Sequence, residues 1–282
     1  MSRTIVITGG TSGIGRALAR HHTERGDQVV AVGSTEAAGR RLIEEVPGVR
    51  FVRADLSSIR RTRDLVDRLG ADHPVIDALV LGAFRYNPVR VQTEEGFEHT
   101  FALYVINRWL MAEGLRGPLE QARAPVIVNL CGAGVGRAGR IHWDDLQLAG
   151  KYRAVTATMQ GARASELLGA AYTSERTRYV LYNPVFVATS LHEPFRPPLR
   201  GVVRAVSALF AQPVAKAVPP IAALVDRPPA GALTAYRKGR PIDLAVDREE
   251  ALRLEEVVRT MAAAVPSRPL LYAGIACYSN EQ

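Results

Sequence analysis

The stretch that decides the fold is Thr8-Gly9-Gly10-Thr11-Ser12-Gly13-Ile14-Gly15, close to the amino terminus. It follows the β-branched run Thr4–Thr8 and opens the amphipathic segment Gly13–Arg25, which Gly26 closes as a helix stop. Glycines at such a turn let the backbone approach a pyrophosphate, and the helix N-terminus faces the negative charge. The turn therefore predicts a dinucleotide site between a strand and a helix.

Short β-branched runs alternate with longer amphipathic segments through the first two thirds of the 282-residue chain. This alternation is typical of a parallel sheet covered by helices on both faces. The predicted strands are Thr4–Thr8, Gln28–Gly33, Arg50–Arg53, Ala78–Leu81, Pro125–Asn129 and Arg178–Asn183. We expect an α/β fold with a doubly wound parallel sheet of the Rossmann type, three layers, and ligands at the carboxyl ends of the strands.

The length predicts one domain over residues 1–282, because α/β domains of this size commonly remain undivided. Residues 190–229 are rich in proline and apolar side chains, which favours either a substrate lid within that domain or a connecting loop with a short helix. Further on, Asp247 and Glu250 resemble a capping box that starts an amphipathic helix.

Composition excludes several classes of function. The formal net charge is +8, but the arginines are spread along the chain, which favours a solvated basic surface over nucleic-acid binding. The two cysteines, Cys131 and Cys277, have no His or Cys at ligand spacing, so we expect neither a disulfide framework nor a metal site.

A membrane span and a signal peptide are not expected either. Pro213, Pro219 and Pro220 interrupt the only long apolar candidate, around residues 205–225. Met1-Ser2-Arg3 leads directly into the first strand, which leaves no room for a charged region and an apolar region before it. These patterns predict a cytoplasmic protein with no membrane partner.

The glycine-rich turn also resembles the Thr-Gly-x-x-x-Gly-x-Gly signature of the short-chain dehydrogenase/reductase family. Ala54-Asp55-Leu56 is similar to the family segment whose acid touches the adenine, and Asn183-Pro184 with Thr189 is similar to the stretch beside the nicotinamide amide. The resemblance covers most of the chain, up to about Leu191. It implies the family's fold and a nicotinamide dinucleotide as cofactor.

The resemblance favours NADP over NAD, whether or not the cofactor reacts. The second strand ends at Val32-Gly33-Ser34-Thr35, where an NAD-preferring member would usually carry an acid for the ribose hydroxyls. Arg16, Ser34 and either Arg40 or Arg41 could instead approach a phosphate, although Arg40 and Arg41 are better explained as exposed helix residues. The implied cofactor-binding residues are Gly9, Thr11, Ser12, Gly13, Ile14, Gly15, Arg16, Ser34, Asp55, Leu56 and Thr189.

The family's chemistry uses a tyrosine, a lysine four residues later, a serine and an asparagine. The loop Ile141–Leu146 with Tyr152 resembles the retinol-dehydrogenase-like branch, and its spacing places Thr158 at the tyrosine and Ala162 at the lysine position. A register shifted by one residue gives Met159 and Arg163 instead. Neither register contains the tyrosine.

The serine and asparagine positions differ as well. Gly132 follows the strand that ends in Leu130-Cys131, at the place of the catalytic serine, and Tyr104 stands where the fourth helix would carry its asparagine. The family's Asn-Asn-Ala-Gly stretch reads Leu81-Gly82-Ala83-Phe84. The resemblance therefore implies that all four catalytic positions are replaced, with the changes concentrated at the nicotinamide side.

Four side chains are candidates to take over the catalytic work: Tyr104, Tyr152, Thr158 and His142. Tyr104 could supply a hydroxyl or be a packed aromatic residue; Tyr152 and His142 border the predicted pocket and could exchange protons or be structural. Thr158 could hydrogen-bond a substrate oxygen. Cys131 is better explained as a small buried residue than as a nucleophile.

Three functions remain open at this point. The first is a non-redox enzyme of small-molecule biosynthesis that promotes cyclisation, isomerisation or dehydration of a small apolar or aromatic substrate. The second is an NADP(H)-dependent oxidoreductase with a non-standard proton donor, and the third is a catalytically silent nucleotide-binding or regulatory protein. The resemblance also allows a homo-oligomer.

Overall fold

The computed structural model describes residues 2–135, 139–185, 214–266 and the strand at 277–278. These residues form a nine-stranded sheet in the order β8-β7-β6-β5-β4-β1-β2-β3-β9. Strands β1 to β7 pair in parallel, while β8 and β9 are antiparallel edge strands. The predicted doubly wound α/β sheet is thus confirmed.

The strands agree closely with the sequence prediction. They are β1 (Thr4–Thr8), β2 (Gln28–Gly33), β3 (Arg50–Arg53), β4 (Ala78–Leu81), β5 (Val126–Leu130), β6 (Arg178–Asn183), β7 (Leu233–Arg237), β8 (Arg240–Pro241) and β9 (Cys277–Tyr278). Only β5 is displaced, by one residue, among the six predicted strands. The last three strands lay outside the prediction because their apolar runs are short and weakly alternating.

Helices cover both faces of this sheet. They are α1 (Gly13–Glu24), α2 (Glu36–Glu45), α3 (Ile59–Asp72), α4 (His99–Phe101), α5 (Asn107–Gly114), α6 (Arg116–Glu120), α7 (Ala154–Ala171), α8 (Val214–Asp226) and α9 (Arg248–Ala263). A π-helical turn at Ala102–Ile106 joins α4 to α5. The predicted helix start is confirmed, since the Asp247 carboxylate accepts the Glu250 N–H at the start of α9, while the Glu250 carboxylate accepts from Arg163.

Alternate residues of β1 point to opposite layers. Ile5 and Ile7 are fully buried against α1, α2 and α8, while Val6 is fully buried against the layer that contains α3 and α5. Because both faces are covered, the central strands are apolar throughout, as expected for a parallel sheet. Helix α9 packs outside this second layer, against α7.

The segment predicted as a lid is described only in part. Residues 190–213 lie outside the described residues, so the prediction of a lid stays a prediction for them. The described remainder contains α8, whose buried side chains Ala217, Ile221 and Val225 join the core beside α1. Helix α8 includes Pro219 and Pro220.

Candidate functional site

The turn after β1 is built so tightly that only glycine fits. A Cβ atom on Gly15 would lie 2.2 Å from the carbonyl oxygen of Gly9. A Cβ on Gly9, whose φ is +70°, would lie 2.9 Å from the amide nitrogen of Ala83 beyond β4. The backbone of α1 therefore packs directly on the turn. This contact lies beside the neighbouring strands β1 and β4, where the strand order continues to β2 on one side and to β5 on the other.

Thr8 ties this turn to the exit of β4. Its hydroxyl donates to the Val80 carbonyl at 3.3 Å and accepts the N–H groups of Gly82 and Ala83 at 3.0 and 3.3 Å. The Ser12 side chain at the start of α1 makes no capping hydrogen bond. The first-turn N–H groups of α1 have no intrahelical acceptor, so they suit an anionic group such as a pyrophosphate.

The residues predicted to choose between NADP and NAD lie on the surface beside this turn. Arg16 pairs with Glu45 at 3.2 Å, and Arg20 pairs with the same carboxylate at 3.2 Å. Ser34 is exposed just beyond β2, and the Thr11 side chain lies against Gly33. An arginine in an exposed ion pair keeps donors that a phosphate could engage.

The other cofactor residues are partly described. Asp55 is exposed after β3, and its carboxylate accepts the backbone N–H and the hydroxyl of Ser57 at 3.0 and 2.7 Å. Leu56 is buried in the core, so its side chain packs inside the protein and its backbone alone could border a ligand. Thr189 lies outside the described residues.

The second half of the site is centred on Tyr104, in the π-helical turn. Its hydroxyl accepts the Gly132 N–H at 3.0 Å, beyond β5. Its ring lies against α7, where a Cβ on Gly161 would come within 2.4 Å of the ring. Complete burial raises the pKa of the Tyr104 phenol to about 12, despite the neighbouring Arg108. The ring thus fills space between two glycines, and its hydroxyl is a neutral donor and acceptor.

Gly132 and α7 meet just as closely. A Cβ on Gly132 would lie 2.9 Å from the Cβ of Ala162, so Ala162 is the α7 residue that faces the end of β5. Arg163 points elsewhere: its guanidinium donates to Glu166 at 3.1 Å, Glu250 at 2.8 Å and the Ala245 carbonyl at 2.8 Å. This geometry favours the register that pairs Thr158 with Ala162.

The remaining candidates are engaged in local hydrogen bonds. The Thr158 hydroxyl donates to the Ala154 carbonyl at 2.9 Å, one helical turn earlier. The Tyr152 hydroxyl donates to the Asn87 carbonyl at 2.9 Å, and desolvation raises the pKa of Tyr152. His142 is partly exposed, and its backbone N–H donates to Gln160 at 2.9 Å. Among the described residues, these hydrogen bonds do not join the three residues to one another or to Tyr104.

Cys131 is a packed residue. It is buried, and desolvation raises the pKa of its thiol to about 12, so a thiolate is disfavoured near neutral pH. Within the described ranges, no three His, Cys, Asp or Glu side chains come together as metal ligands. Across the same residues, no helix combines the length and the apolar character that a bilayer crossing requires.

Sequence reasoning missed two residues in this region. Arg108 on α5 is fully buried, and its guanidinium lies 4.1 Å from the centre of the Tyr104 ring. Gly161 on α7 provides the space for that ring. Arg108 gave no signal because one arginine in a helical pattern is ordinarily exposed. Gly161 could have been noticed as a glycine inside a long helical segment.

Comparison with known proteins agrees with this architecture. Human retinol dehydrogenase 14 is 29% identical over 169 residues, covering 53% of this chain and 50% of its own. A candidate daunorubicin C-13 ketoreductase, DnrU, from Streptomyces sp. (strain C5) is 36% identical over 149 residues, which is 51% of this chain and 50% of that protein. The chain thus spans about half the length of the curated relatives it matches.

Solved structures share the fold. A protein of unassigned function from Mycobacterium paratuberculosis superposes with a TM-score of 0.68 at 20% identity, covering 95% of both chains. A candidate short chain dehydrogenase from Shigella flexneri, complexed with NADP, gives a TM-score of 0.63 at 19% identity over 84% of this chain and 96% of its own. The short chain dehydrogenase family model matches residues 3–144, half of the chain. The protein belongs to the short chain dehydrogenase family.

Proposed function

We propose that this protein is an NADP-binding enzyme of the family that transforms a small organic substrate without hydride transfer, by cyclisation, isomerisation or dehydration. The observation that carries the proposal is the packing around Gly132, which the resemblance places at the family's serine position: the Ala162 Cβ faces Gly132, and the Tyr104 hydroxyl accepts its N–H. At the positions that the resemblance assigns to the family's tyrosine and lysine, this chain carries Thr158 and Ala162. In this proposal the catalytic tetrad is replaced.

The physical reason is the proton that accompanies hydride transfer. A reduced carbonyl must gain a proton near neutral pH, and the family's tyrosine is matched to that task by its lysine. Here the pKa of Tyr104 is raised to about 12, and Thr158 is a poor acid. The Tyr104 hydroxyl accepts the Gly132 N–H and keeps its own proton to donate to a substrate oxygen, which is sufficient to orient a substrate for a rearrangement.

The glycine turn supports retained nucleotide binding. Gly9, Gly15 and the uncapped start of α1 fit a pyrophosphate, and Arg16 and Ser34 would face the ribose end. NADP, when bound, supplies a nicotinamide capable of accepting or donating a hydride. The same residues would hold it whether or not it reacts.

The second candidate is an NADP-dependent oxidoreductase with a non-standard proton donor. The names of the relatives favour it, since DnrU is described as a ketoreductase and others as retinol dehydrogenases. His142 and Tyr152 are then the residues to examine, because both lie in the loop before α7 and carry groups that can exchange protons. A silent nucleotide-binding protein is the outcome in which NADP binds and no product forms.

Product mass separates these functions. The purified protein, loaded with NADPH, is incubated with a panel of ketones, enones and polyhydroxy aromatic compounds. The molecular masses of the products are then measured by mass spectrometry. The proposal expects products of unchanged mass, or products that have lost water, with NADPH unconsumed. Products that gain two hydrogens with stoichiometric loss of NADPH would replace it by the oxidoreductase.

A matched pair of variants tests the role of the Tyr104 hydroxyl. Tyr104→Phe keeps the ring that fills the space beside Gly161 and removes only the hydrogen bond to Gly132. We expect turnover to fall about tenfold or more while NADPH affinity is unchanged, because an orienting hydrogen bond is worth roughly 1 to 2 kcal/mol. His142→Gln is the comparison variant. If either variant turns over at the wild-type rate, the residue substituted in that variant takes no part in the mechanism.

Several broader expectations accompany this function as proposals. They are a single domain, a cytoplasmic location, a homo-oligomer, an apolar or aromatic substrate and no binding of nucleic acid. Sedimentation at several protein concentrations would test the oligomer directly. The electrophoretic mobility of a DNA fragment, with and without the protein, would test the expectation that nucleic acid is not bound.

A further inference from the structure

The buried, positively charged side chain of Arg108 lies at the carboxyl ends of β4 and β5. Arg108 has 3% of its surface exposed, and its guanidinium contacts the exits of both strands. We propose that this charge, acting through the aromatic pair Tyr104 and Phe84, makes the surface around Phe84, beyond the carboxyl end of β4, a binding site for the ionised form of a planar phenol or enol. The inference rests on the proposed function for the substrate being a small organic molecule, and it adds the charge and shape of that substrate.

The hydrogen bonds of Arg108 all run to neutral acceptors. The guanidinium donates to the Asn129 side-chain oxygen, to the Leu130 carbonyl at 2.9 Å and to the Ala83 carbonyl at 3.1 Å. Its Nε atom is buried and has no hydrogen-bond partner in the part of the chain that the structure describes. Among the described residues, Arg108 forms no ion pair with a carboxylate. A buried cation without a counterion is costly, so an anion nearby would be stabilised.

The titratable groups around Arg108 do not neutralise it. Tyr104, Cys131 and Tyr179 are the titratable groups that interact with the guanidinium, and burial raises the pKa of each of them. They are therefore uncharged at neutral pH. The buried Glu166 is compensated elsewhere, since its carboxylate accepts from Arg163 at 3.1 Å and from the Gly134 N–H at 2.8 Å. Arginine itself stays protonated even when buried.

Two aromatic rings connect this charge to the surface. The guanidinium stacks 4.1 Å from the centre of the Tyr104 ring, and the Phe84 ring meets Tyr104 edge to face at 5.3 Å. Phe84 follows β4 directly after Ala83, and 39% of its surface is exposed. An exposed aromatic side chain at the carboxyl end of a central strand is suited to contact a flat apolar ligand.

The distances set the size of the effect. A ligand resting on Phe84 would lie on the order of 10 Å from the guanidinium, since the path through the two rings includes separations of 4.1 and 5.3 Å; at an effective dielectric constant of about 20, two unit charges still interact appreciably over that distance. That interaction lowers the pKa of a bound phenol by about one unit. The site therefore favours an anion without a direct ion pair.

The experiment uses 7-hydroxycoumarin, a planar phenol whose neutral and ionised forms absorb at different wavelengths. Its ionisation is followed by absorbance against pH, free and in the presence of the full-length protein. We expect the bound probe to ionise about one pH unit lower than the free probe. Arg108→Lys should retain most of this shift, Arg108→Met should abolish it, and Phe84→Leu should weaken affinity severalfold while the shift persists.

The outcomes are separable from those of the proposed function. An unshifted ionisation on the wild-type protein, or no binding of the probe at about millimolar concentration, overturns the inference without any variant. An equal shift in Arg108→Met, shown to be folded by circular dichroism, also overturns it. Reduction of a substrate by NADPH would remove the proposed non-redox function and leave this binding result intact.

Discussion

The two halves of the site use glycine for opposite purposes. In the turn after β1, Gly9 and Gly15 face backbone atoms, so any side chain there would push the chain out of place. Around Tyr104, by contrast, Gly132 and Gly161 face side chains: the Cβ of Ala162 and the Tyr104 ring. The first arrangement lets backbone segments pack directly against one another, whereas the second makes room for a side chain of the protein.

This difference teaches how to interpret glycine at a site. Glycine against backbone preserves a binding surface, because no side-chain movement can relieve a clash. Glycine against a side chain is one half of a packed pair, and the other half can change with it. The glycine turn therefore has the close backbone contacts that a dinucleotide-binding turn needs, while the glycines around Tyr104 are paired with packed side chains.

The largest expected effect comes from breaking the packed pair. Tyr104→Ala should lower the free energy of unfolding by about 3 to 5 kcal/mol, because it leaves a cavity inside the core. Gly161→Ala should cost about 1 to 3 kcal/mol in the wild-type background, where the new methyl group meets the Tyr104 ring. Chemical denaturation of both variants measures these values.

The double variant sharpens the comparison. With the ring removed, Gly161→Ala should become neutral or stabilising, since alanine has the higher helix propensity. A strictly additive loss in Tyr104→Ala, Gly161→Ala would show that the two residues do not share one space. In that case the interpretation of Gly161 and the Tyr104 ring as a packed pair is wrong.

A smaller effect is expected from the open turn. Gly15→Ala should cost about 1 to 3 kcal/mol of stability by forcing α1 away from Gly9, and it should reduce NADPH affinity by at least about tenfold. The matched control is Gly70→Ala in α3, where the new Cβ would make only an ordinary 3.9 Å contact with Pro118. That control should gain about 0.5 to 1 kcal/mol and bind NADPH normally. Equal behaviour of the two variants would contradict a backbone constraint at Gly15.

The smallest effect concerns pH and lies away from both halves of the site. Burial lowers the pKa of His22 in the folded protein, despite its contact with Asp27, while the unfolded value stays at 6.5. Below pH 6.5 the unfolded chain binds more protons than the folded chain at this residue, so stability is complete above that pH and falls as pH decreases. The lowered pKa of Asp27 keeps its carboxylate ionised in both states above 3.8, so it adds no slope there.

Urea denaturation at several pH values between about 5 and 7.5 measures this slope. Burial also lowers the pKa of His73 and His99, so these residues add slope of the same sign. His22→Asn should flatten the profile in part. A wild-type stability that rises as the solution is acidified would exclude this assignment.

Sequence reasoning succeeded where the determinants are local. The strand before the turn, the glycines and the first residues of α1 lie within one continuous stretch, and their order along the chain is enough to predict a strand, a tight turn and a helix; phosphate binding by that turn stays a prediction. The helix start at Asp247 was predictable for the same reason, because its partner is Glu250.

The half around Tyr104 could be predicted only in part. The resemblance identified Tyr104, Gly132 and Ala162 as unusual residues, but their mutual packing joins the π-helical turn, the end of β5 and the middle of α7. Contacts between such distant residues leave no periodic pattern. Arg108 escaped notice for a related reason, since its burial follows from the arrangement of β4, β5 and α5 and not from its own neighbours in sequence.

The most direct test of the central claim is a calorimetric titration of the nucleotide-stripped protein with NADPH, repeated with NADH at the same ionic strength. Retention of the nucleotide half predicts a dissociation constant of about micromolar or tighter for NADPH and weaker binding of NADH. Absence of detectable NADPH binding would contradict it. The glycine turn would then have only a structural role, and neither the turn nor the region around Tyr104 would be a nucleotide-binding surface.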